Sequence, residues 1–409
     1  MHTSLLLIYG TGNLLAAVSA VRWRHQLYYP QESLRIITVV DPPGQTNEVT
    51  AENNRIISQV ISGQKWPDPI FLDIQQIQSL TPSLRSLKST RTSTNKIREI
   101  VGVDQVDEII FPHNIGRSLP DILAAAFPKA ECILFGDGLG SVYNNIYHMA
   151  FLGGATLDEA KKAVRDGKLP EKRNPKQFIV HLIKKILLGE FKPVHPDSAV
   201  LVLPMDQTGT SLTDVKLNVV PKETVFDVIE DCKNVLPELA EYSHKVLNHT
   251  NPPQTLVLLE NLTDAGLADL DKEVSFYETV IRENTPKNST VLIKSHPLSS
   301  MKMDEKLHDR IKDDFHSVIL DGKFARYPIE FWSEMIASCR IIGIAYSSVT
   351  LAYLYNKETI FALTDDMIEK FIQPKFWASL KDASHLYQGQ LENLKTWDGK
   401  SLLWKGSIE

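Results

Sequence analysis

Cysteine is scarce in this sequence: Cys132, Cys232 and Cys339 are the only three in 409 residues. No CxxC pair occurs and no histidines cluster beside them, so neither a disulfide framework nor a zinc site is indicated. A reducing cytoplasm is the expected compartment. Long apolar runs are missing too, since no stretch approaches the ~18–20 apolar residues of a membrane span. The early run from Leu5 to Ile8 ends at Tyr9 and Gly10 with no basic segment before it, which reads as a buried strand rather than a signal peptide. An excess of basic charge is likewise absent. The 44 Lys and Arg stand against 50 Asp and Glu, a formal net charge of −6, which argues against a dedicated nucleic-acid binder. Neither glycine nor proline is in excess, and no repeat or low-complexity tract occurs.

What is present is an ordinary globular composition, 43% hydrophobic and 23% charged, over a length that exceeds one ordinary core and implies two domains. Short β-rich runs alternate with helical stretches, the pattern of parallel sheets wrapped by helices. In the first half the expected strands are Leu5–Tyr9, Arg35–Val40, Ile70–Asp73, Glu108–Phe111, Cys132–Phe135 and Ala199–Leu203. Expected helices include Asn13–Gln26, Glu52–Ser62 and Leu119–Phe127. The pattern restarts with strands at Thr255–Leu259, Thr290–Lys294, Ser317–Leu320, Arg340–Ala345 and Thr359–Ala362. Helices are expected near Glu273–Glu283, Ile329–Ser338, Val349–Tyr355 and Asp366–Phe371. The Pro-bearing stretch Asn248–Gln254 reads as a linker.

The expected division is therefore residues 1–250, carrying an insertion at about 153–195, then 251–385, then a tail at 386–409 that packs back on the first domain. The insertion carries Lys172, Arg173, Lys176, Lys184, Lys185 and Lys192 around an apolar run. It reads either as a surface helix with one buried face or as a basic amphipathic helix facing an anionic membrane or polymer.

Three motifs fall where a parallel α/β sheet places ligand-binding residues, at or just past the carboxyl ends of strands. The first is Lys294-Ser295-His296-Pro297. An imidazole there can donate to a phosphate and neutralise charge as a leaving group departs, with Lys294 reinforcing the field. Alone, a His-Pro pair more often merely ends a strand. The second is Ser347-Ser348, at the start of a helix after the strand Arg340–Ala345. Paired hydroxyls beside free N–H groups and the positive end of a helix dipole suit an anion, although serine also caps helices with no ligand.

Glu330 opens another helix. There it is favoured by the dipole and is also a candidate acceptor for ribose hydroxyls. The third motif is Gly136-Asp137-Gly138, after the strand Cys132–Phe135. Its glycines free the backbone for close approach, and Asp137 is a candidate general base; the bland alternative is an Asp-Gly turn. Asp269 and Asp271 mimic a DxD pair but fall at a helix start.

In their order and spacing these motifs resemble bacterial sialyltransferases, the polysialyltransferase and lipooligosaccharide sialyltransferase group in particular. That family shares an acidic-Gly loop, a His-Pro motif and a Ser-Ser or Ser-Thr pair. The resemblance implies a GT-B fold, two Rossmann-like domains facing a central cleft, and transfer of sialic acid from CMP-sialic acid to a glycan hydroxyl with inversion. It makes Asp137 and His296 catalytic. Gly136, Gly138, Lys294, Pro297, Glu330, Ser347 and Ser348 become substrate-binding residues. No metal or other cofactor is implied, since one phosphate needs no divalent bridge. The first domain would serve the acceptor and the second the nucleotide sugar.

One departure stands out: the family usually carries an acid where this chain has Gly136, so Glu260 and Asp264 are reserve candidates for the base. The partners implied are a nucleotide-sugar donor and a glycan or polysaccharide acceptor, with no nucleic acid. The expected location is cytoplasmic, with peripheral contact to the inner membrane as a further expectation. A transferase using CMP-Kdo or another nucleotide sugar, and a non-catalytic glycan- or nucleotide-binding relative, are the competing readings.

Overall fold

The computed structural model describes residues 2–28, 32–39, 47–82, 89–112, 119–138, 150, 155–166, 186–204, 212, 214–296 and 301–399. The chain divides into two compact units, Met1–Val202 with Gln207–Val228 and Ser407–Glu409, and Leu203–Asp206 with Ile229–Gly406.

The first unit holds a seven-stranded sheet of β1 (His2–Tyr9), β2 (Glu32–Val39), β3 (Ile70–Leu72), β4 (Glu108–Pro112), β5 (Glu131–Gly136), β6 (Ser198–Leu201) and β7 (Lys216–Val219), in the order β3-β2-β1-β4-β5-β6-β7. Every pairing is parallel. Leu5, Leu6, Leu7 and Ile8 are all fully buried, as expected of a strand covered on both faces. The helices are α1 (Leu14–Tyr28), α2 (Asn47–Gly63), α3 (Ile74–Leu80), α4 (Thr90–Val101), α5 (Leu119–Ala126) and α6 (Leu157–Asp166). At the amino-terminal edge of this sheet Arg24 donates to the fully buried Glu108 at 2.5 Å, and Ser4 Oγ donates to the same carboxylate at 2.7 Å. The buried charge is thereby both paired and hydrogen-bonded.

The second unit holds a five-stranded parallel sheet of β8 (Gln254–Leu258), β9 (Thr290–Lys294), β10 (His316–Ile319), β11 (Arg340–Gly343) and β12 (Thr359–Phe361), in the order β10-β9-β8-β11-β12. Strand succession runs outward from β8 to β10, then returns to place β11 on the other side of β8. That reversal at β8 and β11 is the switch point at which open parallel sheets bind ligands. The helices, numbered from the junction between the units, are α7 (Lys222–Val235), α8 (Pro237–Asn248), α9 (Leu270–Asn284), α10 (Met301–Ile311), α11 (Gly322–Ala325), α12 (Ser333–Ser338), α13 (Ser347–Tyr355), α14 (Asp365–Phe371) and α15 (Trp377–Lys395).

Two parallel α/β cores match the GT-B expectation, and each strand expected from the sequence is present with ends shifted by only a few residues. Strand β7 was not anticipated: Lys216–Val219 is short and only partly buried, as suits a sheet edge. The stretch Asn248–Gln254 leads from α8 into β8 within the second unit. Helix α8 packs on α12 and is fastened to the residues flanking α11, where Tyr242 Oη accepts the Asp321 N–H at 2.7 Å and Tyr327 Oη donates to Glu238 at 3.0 Å. Residues up to Lys395 continue α15, which packs on α13 and α14.

The helix expected over Ile329–Ser338 is broken. A 3-10 turn at Ile329–Phe331 precedes α12, and the buried Trp332 between them leaves helical geometry at φ −88°, ψ 41°. Of the insertion, α6 and residues 186–195 are described; Lys172, Arg173, Lys176, Lys184 and Lys185 lie outside the described residues, as does Pro297.

Candidate functional site

The carboxyl edge of the second sheet gathers most of the expected site residues. Strand β9 is buried along its length and delivers Lys294 and then His296 to the edge. The Lys294 Nζ donates to Ala325 O at 2.8 Å and lies 5.8 Å from the centre of the Trp332 ring. Desolvation lowers its pKa to about 8, against the pull of the Glu330 and Glu260 carboxylates. His296 Nε2 lies 3.7 Å from Glu260 Oε2. Burial, with the Lys294 charge added, pushes His296 down to about 4, so in the free protein the ring is neutral at pH 7.

Glu260 follows β8 and is held by its backbone, whose N–H donates to Tyr277 Oη at 2.7 Å. Its carboxyl is pushed up to about 7 by desolvation, with Lys294 opposing the shift and Glu273 adding to it. Glu273, on the first turn of α9, is itself buried and accepts the N–H groups of Leu262 and Thr263, each at 2.9 Å. It thereby fixes the loop that leaves β8. Ser295 donates to Asp304 of α10, a fully buried carboxylate raised to about 6, chiefly by desolvation. These contacts lock the backbone on both sides of the Glu260 and His296 pair. Glu330 sits half-buried in the 3-10 turn, and its backbone carbonyl accepts from Tyr355 Oη at 2.5 Å.

On the other flank of β8, strand β11 runs into Tyr346 and α13. No side chain caps this helix: Tyr346 at its N-cap makes no side-chain bond to the first turn. The Ser348, Val349 and Thr350 N–H groups donate to Ala345 O and Tyr346 O at 3.0, 2.9 and 3.1 Å, so this end offers an anion its dipole and the Ser347 hydroxyl. The two serines differ. Ser347 is half-buried, whereas Ser348 is fully buried with an Oγ that has no hydrogen-bond partner and lies over Gly343 of β11.

In the first unit, Asp137 follows β5 at the carboxyl edge of that sheet, between Gly136, whose carbonyl accepts from Val202 N at 3.0 Å, and the buried Gly138. Desolvation raises the Asp137 carboxyl to about 6. A Cβ added at Gly136 would meet only Leu201 Cδ2 at 3.7 Å and Gly138 N at 4.0 Å, both ordinary contacts. Packing therefore does not demand glycine there. A groove of about 940 Å³ lies at the opposite, amino-terminal ends of β5 and β6, lined among others by Arg91, Asp121, Lys129, Glu190 and Lys192. Its charges are of mixed sign and it lies away from the carboxyl edges where parallel sheets bind ligands.

Asp269 caps α9 by accepting the Lys272 N–H at 2.9 Å, which accounts for half of the DxD-like pair. Among the described residues no group of three or more His, Cys, Asp or Glu is arranged to hold a metal ion, and no helix is long and apolar enough to cross a membrane. The fastening residues Glu273, Tyr277 and Asp304 were not singled out in the sequence. Each lies on a helix whose partner strand is known only once the sheet is assembled.

Residues 12–364 match the family described as alpha-2,8-polysialyltransferase. Among solved structures the chain is similar to Staphylococcus aureus MnaA with UDP, at 11% identity over 100% of this chain and 94% of that one, TM-score 0.49. It is similar to the GT-B domain of a sialyltransferase from Photobacterium damselae at 12% identity, over 94% of this chain and 97% of that one, TM-score 0.41. The UDP-GlcNAc 2-epimerase of Methanocaldococcus jannaschii, in complex with UDP-GlcNAc and UDP, is similar at 10% identity, over 94% and 92%, TM-score 0.49. No curated protein matches the sequence.

Proposed function

This chain belongs to the alpha-2,8-polysialyltransferase family, and on that premise we propose that it moves sialic acid from CMP-sialic acid to a hydroxyl of a glycan acceptor, with inversion at the anomeric carbon. It is a GT-B nucleotide-sugar transferase. The observation that carries the donor assignment is the edge of the second sheet, where His296 and the uncapped amino end of α13 follow strands separated only by β8. A single phosphate bound there meets an imidazole from one side and the positive end of the α13 dipole with the Ser347 hydroxyl from the other, the preorganised electrostatics a departing nucleotide phosphate needs. Ser348, buried over Gly343, seats the helix. Glu330 takes the ribose hydroxyls, and Lys294 holds the end of α11 upstream of it. With the charge of one phosphate met this way, no divalent ion is required.

The first unit takes the acceptor side, between residues 1 and about 250 in the sequence division, and the second takes the donor. Asp137 is the base. A carboxyl near 6 is ionised at neutral pH yet basic enough to accept the acceptor proton as the hydroxyl attacks. Gly136 and Gly138 leave the backbone around it open to the sugar, and a proline at 297 biases His296 before it toward an extended backbone. The three buried thiols suit a reducing cytoplasm. Exposed Ile186 and Leu187, next in sequence to Lys184 and Lys185, support contact with the inner membrane face or with an anionic acceptor.

Isothermal titration with CMP, UMP and GMP tests the donor. CMP should bind most tightly, and His296→Ala should weaken it at least ~tenfold, the loss of a hydrogen bond to a charged group. Preference for UMP or GMP would overturn the CMP assignment, and donor hydrolysis then separates sialic acid from Kdo.

A further inference from the structure

The register of the second sheet places one residue between the two halves of the phosphate site. Strand β8 pairs Leu258 with Lys294 of β9, and the Leu259 N–H donates to the Lys294 carbonyl at 3.0 Å. Counting on two residues along each strand brings Glu260 level with His296. On the other flank β8 pairs Val257 with Ile342 of β11, and counting on three residues brings Glu260 level with Ala345, just before α13. Glu260 therefore stands at the reversal of strand order, between the imidazole and the helix end.

A bare carboxylate in that position has the wrong sign for a phosphate site, so its charge has to be answered. Among the described residues, the groups that act on it are these. Lys294 of β9 attracts it but donates to the Ala325 carbonyl. Glu273 of α9 repels it and is itself occupied by two backbone N–H groups. Tyr277 of α9 and Tyr387 of α15 are phenols raised further by its charge. His296, on the adjacent strand, meets the carboxylate through Nε2 at 3.7 Å.

We propose that Glu260 is the positioning residue of His296, holding the imidazole through Nε2 and charging it when the donor phosphate docks beside the ring. This rests on the reading that a nucleotide phosphate docks at this edge. The ring becomes an imidazolium while that phosphate is bound. The proton comes from the pair itself: the Glu260 O–H bond breaks and the His296 Nε2–H bond forms, leaving the carboxylate against the imidazolium. Molecules whose Glu260 is already ionised take one proton from solvent instead. Burial supports this traffic, since it keeps the carboxyl protonated to about 7 and the free ring neutral. A gap slightly longer than a hydrogen bond is common in ligand-free sites and tightens on binding.

The sign of one substitution decides the matter. If Glu260 only opposes the phosphate, Glu260→Gln raises affinity for CMP. If it positions and charges His296, the same change lowers it. The experiment is calorimetric titration of wild type, Glu260→Gln, His296→Ala and the double variant with CMP and with cytidine. Glu260→Gln is expected to weaken CMP about tenfold while leaving cytidine within about twofold, since only the phosphate contact is lost. On the His296→Ala background it should weaken CMP no further. The pH at which CMP affinity falls should also move to lower values in Glu260→Gln, because the ring then has no neighbouring carboxylate to hold its proton. Unchanged or tighter CMP binding, equal loss of CMP and cytidine, or a further loss on the His296→Ala background would each overturn the proposal. Failure of the wild type to bind CMP would instead overturn the donor reading beneath it.

Discussion

Replacing Gly343 by alanine measures how closely α13 is seated on β11. A Cβ at this position would stand 2.5 Å from Ser348 Oγ, and 3.8 Å from both Ser348 Cβ and Leu258 Cδ1. Only the hydroxyl is in the way, and it cannot retreat into solvent because Ser348 is fully buried. Overpacking of this kind costs about 1–3 kcal/mol. At about 2 kcal/mol, the midpoint of thermal unfolding of a unit this size should fall by roughly 4–8 °C.

Ser348→Ala removes the obstructing atom and leaves only the ordinary 3.8 Å contacts. Because that Oγ has no hydrogen-bond partner, its loss alone should change stability by less than about 0.5 kcal/mol. The double variant should therefore return close to wild type, a coupling of about 2 kcal/mol opposite in sign to the Gly343→Ala cost. CMP affinity should follow the same pattern, weakened in Gly343→Ala as the helix end is displaced and recovered in the double variant. Urea or thermal melts of the four proteins, with calorimetry for CMP, provide the cycle. Additive single effects, or a neutral Gly343→Ala, would refute the seating of the helix on that glycine.

Asp137→Asn should lower sialyl transfer by about 10²–10⁴-fold while leaving CMP binding intact, measured by radiolabelled transfer beside calorimetry. Because the base acts ionised and its carboxyl lies near 6, wild-type transfer should fall as pH drops below about 6, and an unchanged rate at pH 5 would remove Asp137 from that role. In the first unit, Arg24→Met takes the guanidinium away from the buried Glu108 and leaves it the Ser4 hydroxyl. That should cost about 3–5 kcal/mol in a denaturation experiment, and a loss below about 1 kcal/mol would mean the pair contributes little.

Strands were the most legible elements because parallel strands buried on both faces are continuous apolar runs. Thr290–Lys294 was read with its observed ends, and the others shifted only at their ends. Boundaries between units were harder. Helix α8 looks like the close of the first half, and its attachment to the second comes from Tyr242 and Glu238 meeting Asp321 and Tyr327. Those partners are far apart in sequence and share no pattern a linear reading could detect. The Pro-bearing stretch after α8 reads as a linker because prolines mark turns, but a turn inside a unit uses the same residues. Similarly, the break at Trp332 depends on a buried indole beside Lys294 rather than on any helix-stopping residue.

The candidate site shows the same division more sharply. The positions of His296, Ser347 and Asp137 just past strands were legible because strand ends can be read locally. Ser347 and Ser348 look equivalent in sequence, yet consecutive helical side chains point about 100° apart. The structure places one half-buried at the helix end and the other against Gly343. Glu260 was legible only as a spare carboxylate. Its significance depends on strand order: β8 lies between β9 and β11, although β11 comes last of the three along the chain. Sequence proximity would put Glu260 nearest Asp264, whereas register puts it level with His296. A carboxylate raised by burial and held level with an imidazole lowered by burial forms a pair whose shared proton can answer an incoming anion. Neither residue has that property alone, which is why the motif containing His296 could be read from the chain while its partner could not.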